Sequence, residues 1–151
     1  MKPDVGRRQF RRLILETMKE VAFEIHEKIV DRTPIDTGRA KASWRLNPDK
    51  ADPTIEPILA DRLFPSGAVR EKASLDEHPL FSSQAEAVAR AQQQKISLPE
   101  KIVISNNLDY ITKLEEGTSD QAPEGMVKVT VTPGAVQSMF DRAIGKVSGP
   151  F

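Results

Sequence analysis

The tripeptide Asp36-Thr37-Gly38 is the part of the sequence whose residue types come closest to a known catalytic arrangement. The same tripeptide presents the catalytic carboxylate of aspartic proteases, in which two such carboxylates share one proton. The chain contains a single copy, so this chemistry would require a homodimeric aspartic protease that brings two Asp36 side chains together. A charged helix is predicted before the motif, and Arg39 follows it. These neighbours favour a simple turn, in which Asp36 and Thr37 bond nearby backbone amides and Gly38 adopts a positive φ.

Other residues of catalytic or metal-binding type are scattered along the chain. His26 and His78 are the two histidines, and neither has a second histidine or a carboxylate at metal-ligand spacing within a predicted element. His26 is expected at the boundary of an apolar helix face. Glu115 and Glu116 are adjacent on a helix end, where successive side chains point in different directions, so they do not form a carboxylate dyad. The sequence therefore predicts no catalytic residue, no metal site and no cofactor, and the chain is expected not to be an enzyme.

A basic cluster lies at the start of the first predicted helix, at Arg7, Arg8, Arg11 and Arg12. Its position is electrostatically unfavourable, because the N-terminus of a helix already carries partial positive charge. Three interpretations stay open: a solvated charged turn, contact with a neighbouring subunit, or contact with DNA in a channel. A subunit is favoured over DNA, because the remainder of the chain presents no basic face and DNA contact would be incidental at most.

Composition favours one soluble domain without disulfides. The chain has 151 residues, of which 38% are hydrophobic, and it contains no cysteine, as is usual for proteins matured in a reducing cytoplasm. Lys and Arg together number 22, as do Asp and Glu, whereas proteins dedicated to nucleic acid usually have a basic excess. Balanced charge is compatible with contacts between copies of the chain. No signal peptide or membrane-spanning apolar run is recognisable, so synthesis in the cytoplasm without a membrane anchor is expected.

Hydrophobic periodicity predicts a long N-terminal helix over residues 5–32, with Asp4 as its N-cap. Thr33-Pro34 is expected to end this helix, because a residue before proline is disfavoured in helical geometry. Apolar residues recur at steps of three and four along one face of the helix. They are Phe10, Leu13, Ile14, Met18, Val21, Ile25 and Ile29.

The rest of the chain reads as shorter elements around an irregular middle. Strands are predicted at 40–46, 101–105 and 126–132, the last from its alternation of apolar and polar residues. A helical turn or two at 109–116 should end at Gly117, and a final helix should follow Thr132-Pro133. Prolines 48, 53, 57 and 65 with Gly67 are expected to break any long element until about Phe81. After that point, a capping box at Ser83 and Glu86 predicts a short helix to about residue 95.

Two stretches together resemble the HK97 gp10-like family of bacteriophage neck and tail-completion (head-tail joining) proteins. The first is residues 33–44, directly after the long helix, and the second is residues 104–118, followed by the last predicted strand and helix. The match covers residues 5–46 and 101–147 and departs from the family pattern at Ile111 and in the proline-broken middle. The positions that carry the resemblance are Pro34, Asp36, Thr37, Gly38, Ser43, Trp44, Asn107, Tyr110, Glu116 and Gly117.

The resemblance implies a single α+β domain with its core at 5–46 and 101–147 and an irregular insertion at about 47–99. A long N-terminal helix would pack on a small antiparallel sheet, with a C-terminal helix beside it. The implied role is structural: a virion subunit of a tailed phage, assembled in the bacterial cytoplasm, that forms a ring at the head-tail junction. Its implied partners are further copies of itself, with a hexamer as the expected ring, and the adjacent neck and tail proteins.

Overall fold

The computed structural model of the chain describes residues 4–56, 67–78, 81 and 98–148. In chain order its elements are α1 (Asp4–Arg32), α2 (Arg39–Ala42), β1 (Arg45–Pro48), α3 (Gly67–Glu77), β2 (Ile102–Ser105), α4 (Ile111–Glu115), α5 (Val127–Thr130) and α6 (Pro133–Val147). The predicted fold class is confirmed, since these ranges combine a long N-terminal helix, a two-stranded antiparallel sheet and a C-terminal helix in an α+β fold.

Helix α1 is the element on which the others pack. Its bounds confirm the predicted long helix, and Thr33 follows it with a hydroxyl that donates to the Ile29 carbonyl oxygen at 2.7 Å. At 29 residues, and with a rise of about 1.5 Å per residue, α1 is roughly 43 Å long. Among the side chains that the structure describes, the first buried apolar one along α1 is Leu15, and Phe10 is 63% exposed. Around Phe10, α1 therefore lies outside the core. In the part of the chain that is described, every helix is too short or too polar to cross a lipid bilayer.

Buried side chains form clusters along α1, and each cluster joins α1 to different elements. One connects α1 to β1 and α3, a second connects its C-terminal half to Trp44 and the region around α5, and a third connects it to α6. Their members are, in that order, Leu15, Ala22, Leu46, Leu75 and Phe81; Ile29, Val30, Trp44, Ala122 and Met126; and Val21, Met139 and Ala143.

The sheet pairs β1 with β2 in antiparallel register, with Arg45 opposite Ser105 and Pro48 opposite Ile102. The predicted strand at 101–105 is confirmed, although its side chains are half-buried. The predicted strand at 40–46 is wrong in its first part, because residues 39–42 form the short helix α2. Gly38 has φ 80°, and its carbonyl oxygen accepts the Ala42 amide at 2.9 Å. This bond closes a helical turn before the extended chain of β1 can begin.

The strand predicted at 126–132 is wrong, since residues 127–130 form helix α5. The Glu115 carboxylate accepts the consecutive amides of Met126, Val127 and Lys128, each at 2.9 Å. Successive amides of a strand point in opposite directions, so three amides in a row can converge on one carboxylate only in a turn or a helix. The alternation of apolar and polar side chains favours a strand, but the Glu115 carboxylate, which lies outside this segment, stabilises a helix instead.

The middle of the chain contains an unpredicted helix, α3, so the expectation that no long element forms before Phe81 is wrong. The four prolines expected to break the middle lie N-terminal to α3, Pro79 follows it, and its own sequence has none. Leu75 is buried against α1, and it and Phe81 belong to the same cluster. This part of the predicted insertion is thus packed into the core. The helix predicted at 83–95 falls outside the described residues.

Helix α6 lies against α1 and confirms the predicted final helix. Thr132 caps it by accepting the Ala135 amide at 3.4 Å, and Pro133 occupies the first turn. Its face toward α1 is secured at the edge by two ion pairs, Lys146–Glu20 at 2.9 Å and Arg142–Glu24. Of the apolar residues predicted for this helix, Met139 and Ala143 are buried and Phe140 and Ile144 are exposed.

Candidate functional site

A groove of about 260 Å³ lies just beyond the C-terminal end of α1. One wall is formed by residues 34–38 together with Ala40, and the other by Tyr110, Leu114, Ser119 and Gln121. The first wall, and Tyr110 and Leu114 of the second, come from the two stretches that carry the family resemblance, whereas Ser119 and Gln121 follow the second stretch; about 70 residues of sequence separate the walls. Pro34, Asp36, Thr37, Gly38 and Tyr110, all singled out from the sequence, line this one groove.

The first wall is a rigid turn. The Thr33 hydroxyl accepts a hydrogen bond from the Trp44 indole nitrogen at 2.8 Å, so the end of α1 is tied to the buried Trp44. The Thr37 hydroxyl accepts the Arg39 amide at 3.4 Å, and Gly38 has the predicted positive φ. The expectation that Asp36 also bonds a backbone amide is wrong within the described residues, where its exposed carboxylate has no such partner.

The second wall is attached to the first through Gln121. Its side-chain oxygen accepts the Ile35 amide at 2.9 Å, and its side-chain nitrogen donates to the Ile35 carbonyl oxygen at 3.1 Å. The amide group thus pairs with Ile35 as a neighbouring strand would. Helix α4 ends at Glu115, and Gly117, two residues further on, has φ 93°, so the predicted left-handed glycine after the helix is confirmed. The turn and the two Gln121–Ile35 hydrogen bonds together set the distance between the two walls of the groove.

Of the adjacent acidic residues Glu115 and Glu116, Glu115 accepts hydrogen bonds that stabilise the fold, whereas Glu116 is exposed. Burial raises the pKa of Glu115, but hydrogen bonds from the amides of Val127, Lys128 and Met126 to the carboxylate outweigh burial, so the pKa is lowered. The carboxylate thereby caps α5 and connects it to the end of α4. Sequence reasoning missed this role, because the donors lie 11 to 13 residues away and no local pattern indicates which acid caps which helix.

Other motif residues lie away from the groove and hold neighbouring backbone. Ser43 is fully buried, and its hydroxyl accepts the Glu56 amide at 2.9 Å. Asn107 donates from its side chain to the Asp52 carbonyl oxygen at 3.0 Å. Both residues therefore attach the segment 52–56 to the region around β1.

A buried cluster of ion pairs, which the sequence did not indicate, includes Glu56, whose backbone amide Ser43 binds. Arg45 pairs with Glu56 and approaches Glu71 at 3.7 Å. Arg70 pairs with Glu56 and with Glu71, the latter at 3.1 Å. Two arginines thus face two carboxylates, and the cluster joins β1, Glu56 and α3. Its charges are matched within the cluster, so it supports the fold and offers no free group for chemistry.

His26 corrects a further expectation, since it is 0% exposed and not at the boundary of the helix face. Its Nε2 donates to the Trp44 carbonyl oxygen at 3.2 Å, and its Nδ1 has no hydrogen-bond partner among the described residues. Burial lowers the pKa of His26; the hydrogen bond to Trp44 and the charge of Glu71 oppose this, and Arg45 and Arg70 reinforce it. His26 is therefore a neutral core residue.

The basic cluster lies at the far end of α1 from the groove. Arg12 is exposed and Arg11 is half-buried, whereas the side chains of Arg7 and Arg8 are outside what the structure describes. Within the described ranges, neither Arg11 nor Arg12 has an ion-pair partner. A second depression, of about 350 Å³, lies between α1 and α6, but ion pairs across it already satisfy the charges of Glu20 and Glu24.

Chemically, the groove suits recognition of a side chain. Its volume is below the roughly 300 Å³ at which pockets for small ligands begin. Over the described ranges, no group of His, Cys, Asp or Glu side chains is arranged to hold a metal ion. Comparison of the chain with protein-family models, curated proteins and solved structures gave no match.

Proposed function

We propose that the chain is a structural virion protein of a tailed bacteriophage, a neck or tail-completion subunit that forms a ring at the head-tail junction. The observation that supports this proposal is the convergence of the two resembling stretches on one groove. Residues 36–38 and Tyr110 are far apart in sequence, and they line the same surface. A pattern that depended only on local turns would not need to bring these residues together.

The construction of the groove also suits an assembly protein. A docking surface binds more tightly when it is already ordered, because less conformational freedom is lost on association. Here Gln121 bonds both backbone groups of Ile35, and the Trp44 indole bonds Thr33 at the start of the turn. These hydrogen bonds order the groove within one chain, while Ile35 and Tyr110 keep exposed apolar surface for contact.

The decisive experiment is electron microscopy of lysates from a phage with an early stop codon in this gene. Filled heads and finished tails that remain separate would support the joining role. Intact infectious particles would refute it. Unprocessed proheads would instead favour the homodimeric aspartic protease, and Asp36→Asn would then abolish peptide cleavage.

Complementation from a plasmid connects the phenotype to the groove. Tyr110→Ala should restore fewer joined particles than the wild-type gene, because it removes apolar surface from one wall. Val69→Ala is a matched control, since Val69 is an exposed apolar residue on α3 that does not line the groove. Equal rescue by both variants would contradict a role for the groove in joining.

A further inference from the structure

Among the described side chains, several charged residues around the middle of α1 form ion pairs, whereas Arg11 and Arg12 near its N-terminal end form none. Around the middle, Lys19, Glu20 and Glu24 all take part in ion pairs. At the N-terminal end, residues 4–12 contain four arginines and one aspartate. At the other end, residues 31–42 and 109–128 contain seven acidic residues and five basic ones, Arg32, Arg39, Lys41, Lys113 and Lys128. None of those acidic residues forms an ion pair within the described ranges, and the Glu115 carboxylate caps α5 instead.

Each end also carries exposed apolar surface. Phe10, beside Arg11 and Arg12, is 63% exposed on the part of α1 that lies outside the core. At the opposite end the groove presents Ile35, which is 45% exposed, and Tyr110. Aromatic side chains inserted in well-packed pockets are frequent anchors of protein interfaces. Both ends therefore carry exposed apolar surface, and the basic N-terminal end would face an end with a small acidic excess.

Phe10 cannot occupy the groove of its own chain. Both features are positioned by the same helix, and the 22 residue steps from Phe10 to Arg32, at about 1.5 Å each, span roughly 33 Å. We propose that the first turns of α1 of one copy dock head-to-tail against a second copy, with Phe10 in the groove beside Tyr110 and with the arginines facing the acidic residues that flank it. The assignment also accounts for the arginines at a helix start, where an isolated helix disfavours them.

Such a contact uses different surfaces on the two copies: the first turns of α1, here called the arm, on one copy and the groove on the other. Each added copy therefore leaves one arm and one groove free. Contacts of this type close into a ring when the rotation between copies permits, and otherwise extend as a filament. The inference rests on the proposed function in one respect, because it specifies how the proposed ring would be joined. The contact itself can be measured on the purified chain without a phage.

Two complementary variants test the contact. The arm variant, Phe10→Ala with Arg12→Glu, keeps the groove intact, and the groove variant, Ile35→Lys, keeps the arm intact. Ile35 bonds Gln121 only through its backbone, so this substitution leaves that pairing in place. In sedimentation velocity and native mass spectrometry, the wild-type chain should associate, and more weakly at high salt. Each variant alone should raise the dissociation constant roughly 10- to 100-fold.

The mixture of the two variants gives the most specific result. The groove variant supplies an intact arm, and the arm variant supplies an intact groove. An equimolar mixture should therefore form a 1:1 heterodimer that does not grow further. Ile144→Lys serves as the control for the groove variant, because Ile144 is 47% exposed but lies on α6. Val69→Ala serves for the arm, because Val69 is also 63% exposed. Circular dichroism should show all variants folded.

Several outcomes would overturn the proposal. They are a wild-type chain that stays monomeric at hundreds of micromolar, a mixture that forms no heterodimer, and controls that dissociate the assembly as strongly as the test variants. A groove that binds another particle protein but not a second copy would overturn it too. Failure here, with unjoined heads and tails still seen in the stop-codon lysate, would refute the interface alone. A heterodimer combined with infectious stop-codon particles would refute only the joining role.

Discussion

Replacing Glu115 with alanine leaves three consecutive backbone amides of α5 without their acceptor. Each amide lies 2.9 Å from the carboxylate in the native chain. Loss of an N-cap acceptor typically costs about 1 kcal/mol and up to about 2, and hydrogen bonds to an ionised acceptor are roughly twice as strong as neutral ones. Water can reach part of the site, so we expect a loss of about 2 kcal/mol in the free energy of unfolding. For a chain of this size that corresponds to a fall of roughly 4–8 °C in Tm.

Urea unfolding followed by tryptophan fluorescence would measure this change. Trp44 is the single tryptophan, and it is buried in the same cluster as Met126 at the start of α5. Glu116→Ala is the matched control, since Glu116 is adjacent and exposed, and its removal should change the free energy by less than about 0.5 kcal/mol. The reasoning would be refuted if Glu115→Ala and Glu116→Ala lost the same stability.

The contribution of Glu115 should also depend on pH. The pKa of its carboxyl group is below the ordinary value of 4.5, so the unfolded chain binds the proton more readily than the folded chain. The stabilisation is therefore complete above the ordinary pKa and is lost as the pH falls through the lowered one. Other groups with lowered pKa values, Glu24 and Asp52 among them, cancel when wild type and variant are compared. A difference that stays constant down to pH 3 would show that the charge of the carboxylate is not responsible.

Three further substitutions have expected outcomes in the same unfolding assay. Arg45→Ala should cost about 3–5 kcal/mol, because it leaves buried carboxylates without a partner, whereas Lys28→Ala, which breaks an exposed pair, should cost less than about 1; similar losses would contradict the importance of the buried cluster. Gly117→Ala should destabilise by more than about 1 kcal/mol, because its φ is 93° and a backbone carbonyl occupies the space of a Cβ. Gly134→Ala, whose Cβ would meet nothing within 4 Å, is the control for that change, and a larger loss there would refute the argument. The lowered pKa of His26 means that, below pH 6.5, the unfolded chain binds a proton at this residue more readily than the folded chain does, so stability falls. His26→Gln should therefore flatten the fall in the free energy of unfolding between pH 7 and 5. A slope unchanged from wild type would contradict this.

Elements with a strong local signal could be predicted from the sequence. The length of α1 follows from its periodicity and from the proline after Thr33, and α6 follows from the pair Thr132-Pro133. The turn at Gly38 and the left-handed Gly117 after α4 follow because few residues other than glycine tolerate a positive φ. In these places the neighbours along the chain supply most of the relevant energy, so one sequence suffices to predict them.

Elements whose stability comes from distant residues could not be predicted. The segment 126–132 has the alternation of a strand, yet the Glu115 carboxylate makes part of it a helix. Helix α3 has a weak local signal, and burial of Leu75 and the ion pairs of Glu71 stabilise it against the core. His26 sits one position from a predicted stripe, and only the neighbours that cover it decide that it is buried.

The sequence by itself determined the residue types of the groove, the balance of charge, and the helix that separates the arginines from the acidic end. Only the tertiary structure decided that residues 36–38 and Tyr110 share one surface and that Gln121 fixes the distance between its walls. It also decided which charges are paired within the chain and which are not. The physical reason is that hydrogen bonds and ion pairs act over a few ångströms in space, and such separations between distant residues exist only once the chain has folded.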